Sequence, residues 1–218
     1  MLFPNFVCVD NFFDDPEKII NLANEFEYFN ALYSPGKRTD FLHNLNFDFF
    51  KWVNFKIGAV LYPSEAYNLN IKAETFFQKT NKLEHDNWVH LDDSFRFTAI
   101  IYLNKNNTAG TSIFKRNHFK MKEEQELKYK YFKNEEKKFT EDELKDIEKA
   151  KESNNSCFSK TLHAEGIYNR LILFDGNTPH ASNPMESEEE RLTLISFIKD
   201  INLGDKKIDF PVTKMRTF

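Results

Sequence analysis

Asn87-Trp88-Val89-His90-Leu91-Asp92-Asp93 runs, after three more residues, into Phe97-Thr98-Ala99-Ile100-Ile101-Tyr102-Leu103-Asn104. The second segment is a near-continuous apolar run, the pattern of a strand covered on both faces. The first places an imidazole and a carboxylate at positions i and i+2. In extended backbone those positions share a face, so His90 and Asp92 can aim at one point. Asp93 is a competing carboxylate, but the i, i+2 geometry favours Asp92. Two ligands do not make a metal site, and a third has to come from elsewhere.

Working downstream, Thr111-Ser112-Ile113-Phe114 reads as a short strand, and Ile167 to Phe174 as another. Asp175-Gly176-Asn177-Thr178-Pro179 is a tight turn that delivers His180. Arg191 to Ile198 is the last clear strand, and its alternation puts Arg191, Thr193, Ile195 and Phe197 on one face. Asp200 to Phe218 reads as an irregular tail. Upstream, Phe6 to Val9 suits a short strand. Pro16 sits at a first helical position with Asp14 or Asp15 as cap. Asp48 to Tyr62 fits a helix followed by a strand, and Asn68 to Thr80 a strand or hairpin. Ser34-Pro35-Gly36-Lys37-Arg38-Thr39 is a turn with two basic residues; a solvated turn is the ordinary reading and an anion-binding loop the alternative, though the stretch does not match a phosphate-cradling loop.

Between the strands the composition changes. Lys120 to Glu152 holds 10 Lys against 11 Asp and Glu. Thr140 with Glu143 forms a capping-box pattern, and Leu144, Ile147 and Lys151 follow at helical spacing. This predicts a charged helical insertion at about 116–160, with Ser153 to Ser156 as a loop. A balanced charge run is ordinarily a solvated face; a partner-binding arm and a lid over a site are the alternatives. Many short strands after a strand-helix start argue for an antiparallel β-sandwich or barrel with flanking helices.

The bulk numbers bound the function. A chain of 218 residues with 40% hydrophobic residues is most simply one domain, 1–218. Its net charge of −4 makes no case for nucleic acid or a membrane surface. Cys8 and Cys157 form neither a metal-ligand spacing nor a disulfide framework. With no signal peptide or membrane-span pattern, the expected location is cytoplasmic. The sequons at Asn106 and Asn154 are then chance matches.

Two imidazoles and one carboxylate form the facial triad of non-haem Fe(II), which leaves other positions open for substrate and oxygen. His90, Asp92 and His180 are the candidates. Spacing alone has low specificity in a chain with six histidines; the words around the ligands add more. The chain resembles the Fe(II)- and 2-oxoglutarate-dependent dioxygenases, in particular the prolyl 4-hydroxylase-like branch, over roughly Phe76 to Phe197. The resemblance rests on His90-Leu91-Asp92, on the strand ending Tyr102-Leu103-Asn104, on Arg170 to Asp175 leading into Pro179-His180-Ala181-Ser182, and on Arg191-Leu192-Thr193.

That resemblance implies a double-stranded β-helix (jelly roll) core that is mainly β with flanking helices. It implies Fe(II) on His90, Asp92 and His180, with 2-oxoglutarate as cosubstrate and O2 as oxidant. Arg191 would hold the distal carboxylate of 2-oxoglutarate, for which a planar, bidentate cation is well suited. Thr193 faces the same way, and the family's Tyr-Leu-Asn word makes Tyr102 a third contact. The reaction implied is hydroxylation of an unidentified peptidyl or small-molecule substrate, with Arg96 a candidate for the substrate pocket. The sequence departs from the family in showing a single Gly near Thr111 and in carrying the charged insertion. Two readings compete. One is a cupin-type metal protein without 2-oxoglutarate, for which Arg191 and Thr193 would be superfluous. The other is a non-catalytic module that binds a partner through its insertion. His43, His85, His118 and His163 are expected in ordinary roles.

Overall fold

A computed structural model gives the fold and describes residues 6–31, 36–80, 87–106, 108–117, 140–185 and 190–207. The central strand is β10 (Arg191–Leu203), paired antiparallel with β4 (Leu69–Thr80) on one side and β5 (Phe97–Tyr102) on the other. Beyond β5 lie β8 (Arg170–Asp175) and then β1 (Phe6–Val9). Beyond β4 lie β3 (Lys37–Arg38) and β2 (Phe29–Asn30), while β11 (Lys206–Lys207) folds back on β10. These make an eight-stranded sheet. A second, three-stranded sheet sets β6 (Thr108–Arg116) between β7 (Phe158–Gly166) and β9 (His180–Ser182).

Alternation along the strands gives the large sheet two different faces. One packs on helices α1 (Pro16–Asn24) and α3 (Phe47–Leu61), with the short α2 (Leu42–Leu45) beside them. Phe77, Ala99, Ile101, Leu171, Leu173 and Leu194 meet Ile19, Ala23, Val53 and Ile57 there. Burying a Leu, Ile or Val side chain contributes about 1.5–3 kcal/mol, so this layer is the main stabilising core. Within it, Asn54 of α3, Thr75 of β4 and Ser196 of β10 hydrogen-bond one another at 2.7–3.0 Å. No buried hydroxyl of that trio is left unpaired, which matters because an orphaned polar group costs more than a hydrogen bond gains. The other face of the sheet turns toward the three-stranded sheet, and Tyr102, Ile113, Ala164, Ile172 and Phe174 fill part of the gap. This is the jelly-roll arrangement with helices buttressing one sheet.

The helix starts follow their caps. Pro16 opens α1 and Asp15 accepts from the Lys18 N–H; Asn46 accepts from the Phe49 N–H at the start of α3. Several boundaries differ from the sequence expectation. β4 is one continuous strand, one of the two forms expected, whereas Asp48 to Tyr62, expected as a helix followed by a strand, is helix α3 through Leu61. The insertion is narrower than 116–160, because β6 runs through Arg116 and β7 begins at Phe158. Its described part is helix α4 (Glu141–Asn155), which has both hydrogen bonds of the Thr140–Glu143 capping box. The helix continues through Ser153, Asn154 and Asn155, where a loop was expected, and ends at Ser156. Asn and Ser usually favour loops because they bond nearby backbone. Here the Asn154 and Asn155 side chains bond distant backbone instead, at Asn87 and Val89. Residues 118–139 of the insertion, and most of the tail, lie outside the described residues. Lys37 and Arg38 form a two-residue strand between β4 and β2 in place of the expected turn. Among the described residues no helix is long and apolar enough to cross a membrane.

Candidate metal centre

His180 opens β9, which pairs with β6. Its backbone exchanges two hydrogen bonds with His90, at 3.0 and 2.9 Å, in an isolated antiparallel bridge. Residues directly opposite in such a pair present their side chains to the same face. Two histidines ninety positions apart in sequence are thereby placed side by side. Asp92 is fixed next, its N–H donating to the Gly176 carbonyl at 2.8 Å. A Cβ at Gly176 would collide with the Phe95 and Asp92 carbonyl oxygens, so only glycine lets the turn between β8 and β9 lie against this loop.

One ligand atom from each of His90, Asp92 and His180 lies within 4.8 Å of the others. His180 Nε2 is 3.3 Å and His90 Nε2 3.8 Å from an Asp92 carboxylate oxygen. Each Nδ1 lies against a backbone carbonyl two residues earlier, His90 against Trp88 at 2.9 Å and His180 against Thr178 at 3.0 Å. A carbonyl can only accept, so each Nδ1 carries the proton and each Nε2 presents a lone pair to the centre. Thr98 donates to Asp92 Oδ2 at 2.6 Å and orients the carboxylate. The donor set of two imidazole nitrogens and one carboxylate fits a divalent first-row ion such as Fe(II).

The cavity at this centre is walled on its other side by the large sheet. Arg191, Thr193, Ile195 and Phe197 all line it, as the alternation along β10 predicts. Register extends the lining across strands. Tyr102 of β5 pairs with Thr193, Thr193 with Gln78 of β4, and Gln78 with Arg38 of β3, and all four line the cavity. Tyr102 is fully buried, its hydroxyl 2.7 Å from that of Thr111. Burial pushes its phenol pKa above the usual value. Arg191 is buried as well; Nη1 donates to the Ala109 carbonyl at 3.1 Å, and among the described residues Nε has no partner. Burial lowers its pKa, with only the neighbouring Tyr102 acting the other way. A buried guanidinium with an unspent donor and no carboxylate against it fits an incoming organic anion, so the residues present suit 2-oxoglutarate as well as the ion.

Not every candidate lies at this site. Arg96 is not among the lining residues; its guanidinium is 3.8 Å from Asp200. Asp93 is exposed and outside the cluster. His43 stacks on Phe41 and His163 approaches Ser112, while His85 and His118 lie outside the described residues. The arginine that does line the cavity, besides Arg191, is Arg38. A two-residue strand shows no periodicity, so the only signal for it was the pair of basic residues beside a Pro-Gly turn.

Comparison with solved structures shows the same fold in 2-oxoglutarate and Fe(II) oxygenases. A Pseudomonas putida prolyl-4-hydroxylase superposes with a TM-score of 0.54 at 14% identity, over 89% of this chain and 92% of that one. HygX from Streptomyces hygroscopicus, solved with nickel, 2-oxoglutarate and hygromycin B, gives 0.54 at 10% identity, over 88% and 82%. A Trichoplax adhaerens prolyl hydroxylase in complex with a hypoxia inducible factor peptide gives 0.52 at 14% identity, over 89% and 83%. No curated protein matches by sequence. The profile of DUF6445, a family of unknown function, matches residues 4–197, and the chain therefore belongs to that family.

Proposed function

We propose that this protein is an Fe(II)- and 2-oxoglutarate-dependent oxygenase that hydroxylates a C–H bond of a peptidyl or small-molecule substrate. The observation that carries the reading is the conjunction, in one cavity, of the His90–Asp92–His180 cluster and the buried Arg191 guanidinium with its free Nε. A metal-binding jelly roll with no 2-oxoglutarate would have no use for that cation, which is costly to bury unpaired.

His90, Asp92 and His180 would hold the metal on one side, leaving the side toward the cavity open. When bound there, Fe(II) and 2-oxoglutarate supply the oxidising chemistry, consuming O2 and releasing succinate and carbon dioxide. Arg191 receives the distal carboxylate of 2-oxoglutarate. The Thr193 hydroxyl, which makes only a long 3.5 Å bond to the Gln78 carbonyl, and the Tyr102 hydroxyl flank it. Ile100, Ile195 and Phe197 give the cavity an apolar lining, which strengthens charge interactions by excluding water. Asn154 and Asn155 of α4 fix the backbone just before His90, so the insertion supports the metal loop. Both cysteines are free, in keeping with a reducing, cytoplasmic setting.

The test is anaerobic titration of the apo protein with Fe(II) and then 2-oxoglutarate, followed by visible absorption. The chelate should give a weak charge-transfer band, and subsequent exposure to air should yield succinate. If wild-type protein gives no band, the assignment is lost.

A further inference from the structure

The mechanism above leaves one charged group of the cavity unused. Among the described residues, the only ordinarily charged one lining it besides Asp92 and Arg191 is Arg38. The side chain is firmly placed. Nε donates to Gln78 Oε1 at 2.8 Å, and Gln78 in turn donates to Thr80 Oγ1 at 3.1 Å. The guanidinium carbon lies 4.4 Å from the centre of the Phe76 ring and 5.9 Å from that of Phe197. Phe197 is itself stacked on Phe95 at 4.7 Å. With Nε spent on Gln78, the Nη1 and Nη2 edge is left, and it donates to no described residue. That edge is the end-on fork that takes a carboxylate through two parallel hydrogen bonds.

Charge accounting points the same way. The two positive charges of the metal ion and that of Arg191 balance Asp92 and the two carboxylates of 2-oxoglutarate. Arg38 then stands alone as an uncompensated cation in a cavity walled by Ile100, Ile195 and Phe197. Two carboxylates reach it electrostatically, Asp92 and Glu74. Asp92 is committed to the metal, and Glu74 already pairs with Lys199 at 2.5 Å. A partly buried cation without a counter-ion among the described residues carries a cost, and an anionic substrate would supply one.

We propose that Arg38 is the substrate-recognition residue of this site, and that it selects a substrate bearing a carboxylate close to the C–H bond that reacts. This rests on the oxygenase reading above and adds the substrate class to it.

The test uses protein loaded with paramagnetic Ni(II) and saturated with 2-oxoglutarate. The probes are short aliphatic monocarboxylic acids and N-acetylamino acids, each paired with its own primary amide. Ni(II) broadens the NMR signals of a probe held beside it, and Zn(II)-loaded protein gives the diamagnetic reference. Binding of 2-oxoglutarate is measured first, by calorimetry. Acids should bind wild-type protein at least about tenfold tighter than their amides, as expected for a charge-assisted pair. Arg38→Gln should bring acid and amide to within about twofold, while 2-oxoglutarate affinity changes less than about threefold. Arg38→Lys keeps the charge without the fork, should retain a reduced preference of roughly threefold, and stands in should Arg38→Gln fail to fold. Equal binding of acids and amides by wild-type protein would overturn the proposal, as would a preference that survives Arg38→Gln. A tenfold loss of 2-oxoglutarate affinity in Arg38→Gln would assign Arg38 to the cosubstrate and also overturn it. Failure of wild-type protein to bind 2-oxoglutarate shows before any probe is added. That result sinks the oxygenase reading, and this proposal with it.

Discussion

On the metal side of the cavity, His90 and His180 each donate from Nδ1 to a carbonyl two residues back, and Asp92 is gripped by Thr98, which reaches across from β5. On the large-sheet side, among the described residues, Arg191 keeps a buried Nε without a partner, and Arg38 donates a hydrogen bond only from its Nε. The first wall is arranged before anything binds. The second holds donors in reserve for something that arrives. The difference follows from the ligands. A metal ion gains most from lone pairs already oriented by hydrogen bonds behind them. An organic anion gains most from donors that have no protein partner to abandon. Reserve donors cost folding stability, because a buried cation without a counter-charge is unfavourable.

The largest test of that contrast is Arg191→Met, a change of similar volume that removes the reserve cation. We expect affinity for 2-oxoglutarate to fall by about a hundredfold, since charge-assisted bonds are worth about 1.5–3 kcal/mol each. Metal affinity should stay within about threefold. In the absence of 2-oxoglutarate the variant should be more stable than wild type by about 1 kcal/mol or more, or roughly 2–4 °C in Tm for each kcal/mol. Saturating 2-oxoglutarate should raise the Tm of wild type alone. Calorimetry and thermal melts measure all of these. A variant that binds 2-oxoglutarate normally, or that melts well below wild type, would show that Arg191 is a structural cation.

The two walls also differ in how far the sequence reveals them. Asp92 and His90 stand two apart in a recognisable word, and His180 follows a Pro-containing turn, so all three are legible as a set. Arg191, Thr193, Ile195 and Phe197 follow from strict alternation along one strand, and all four line the cavity. Arg38 was legible only as one of two basic residues in a turn, with anion binding as the lesser reading. Its strand is two residues long, and its place depends on pairing with Gln78. Arg96 was the reverse case: proximity to Asp92 in sequence suggested the pocket, but its guanidinium pairs with Asp200. Helix α4 was expected to stop short of Asn154 and Asn155, because local preference of Asn for loops outweighs periodicity when distant partners are not visible. Local pattern thus reports which residues share a face. Which short strand extends that face is a tertiary fact.

Thr98→Val probes the metal side of the cavity and should have an intermediate effect. Valine keeps the shape but removes the donor that orients Asp92 at 2.6 Å. Loss of such an outer hydrogen bond typically costs tenfold or more in metal affinity. We expect about a tenfold weaker affinity for Fe(II) and an intact affinity for 2-oxoglutarate once metal is saturating. Competition against a chromophoric chelator under anaerobic conditions gives the number. If Fe(II) affinity is unchanged, Asp92 is positioned by its backbone bond to Gly176 alone, and the metal side does not depend on the side chain behind that carboxylate.

The smallest effect concerns the large-sheet wall and shows only in alkali. Burial raises the Tyr102 phenol pKa in the folded protein, whereas an unfolded tyrosine ionises near pH 10. Above that pH the unfolded chain binds fewer protons than the folded one, so stability falls as pH rises. Arg38 acts in the opposite sense. Burial lowers its pKa to about 10, and as pH rises through that value the folded state sheds an unfavourable buried charge. Tyr28, raised by burial too, adds to the loss. Tyr102→Phe should therefore cost about 1 kcal/mol at neutral pH, by leaving the buried Thr111 hydroxyl without its partner. It should also make the decline between pH 10 and pH 11, two values set by the ordinary tyrosine range of about 10, shallower than in wild type. Urea midpoints measured across that interval decide the matter. Parallel declines in the two proteins would mean that solvent reaches the Tyr102 hydroxyl, and that the large-sheet wall is open where it is described here as closed.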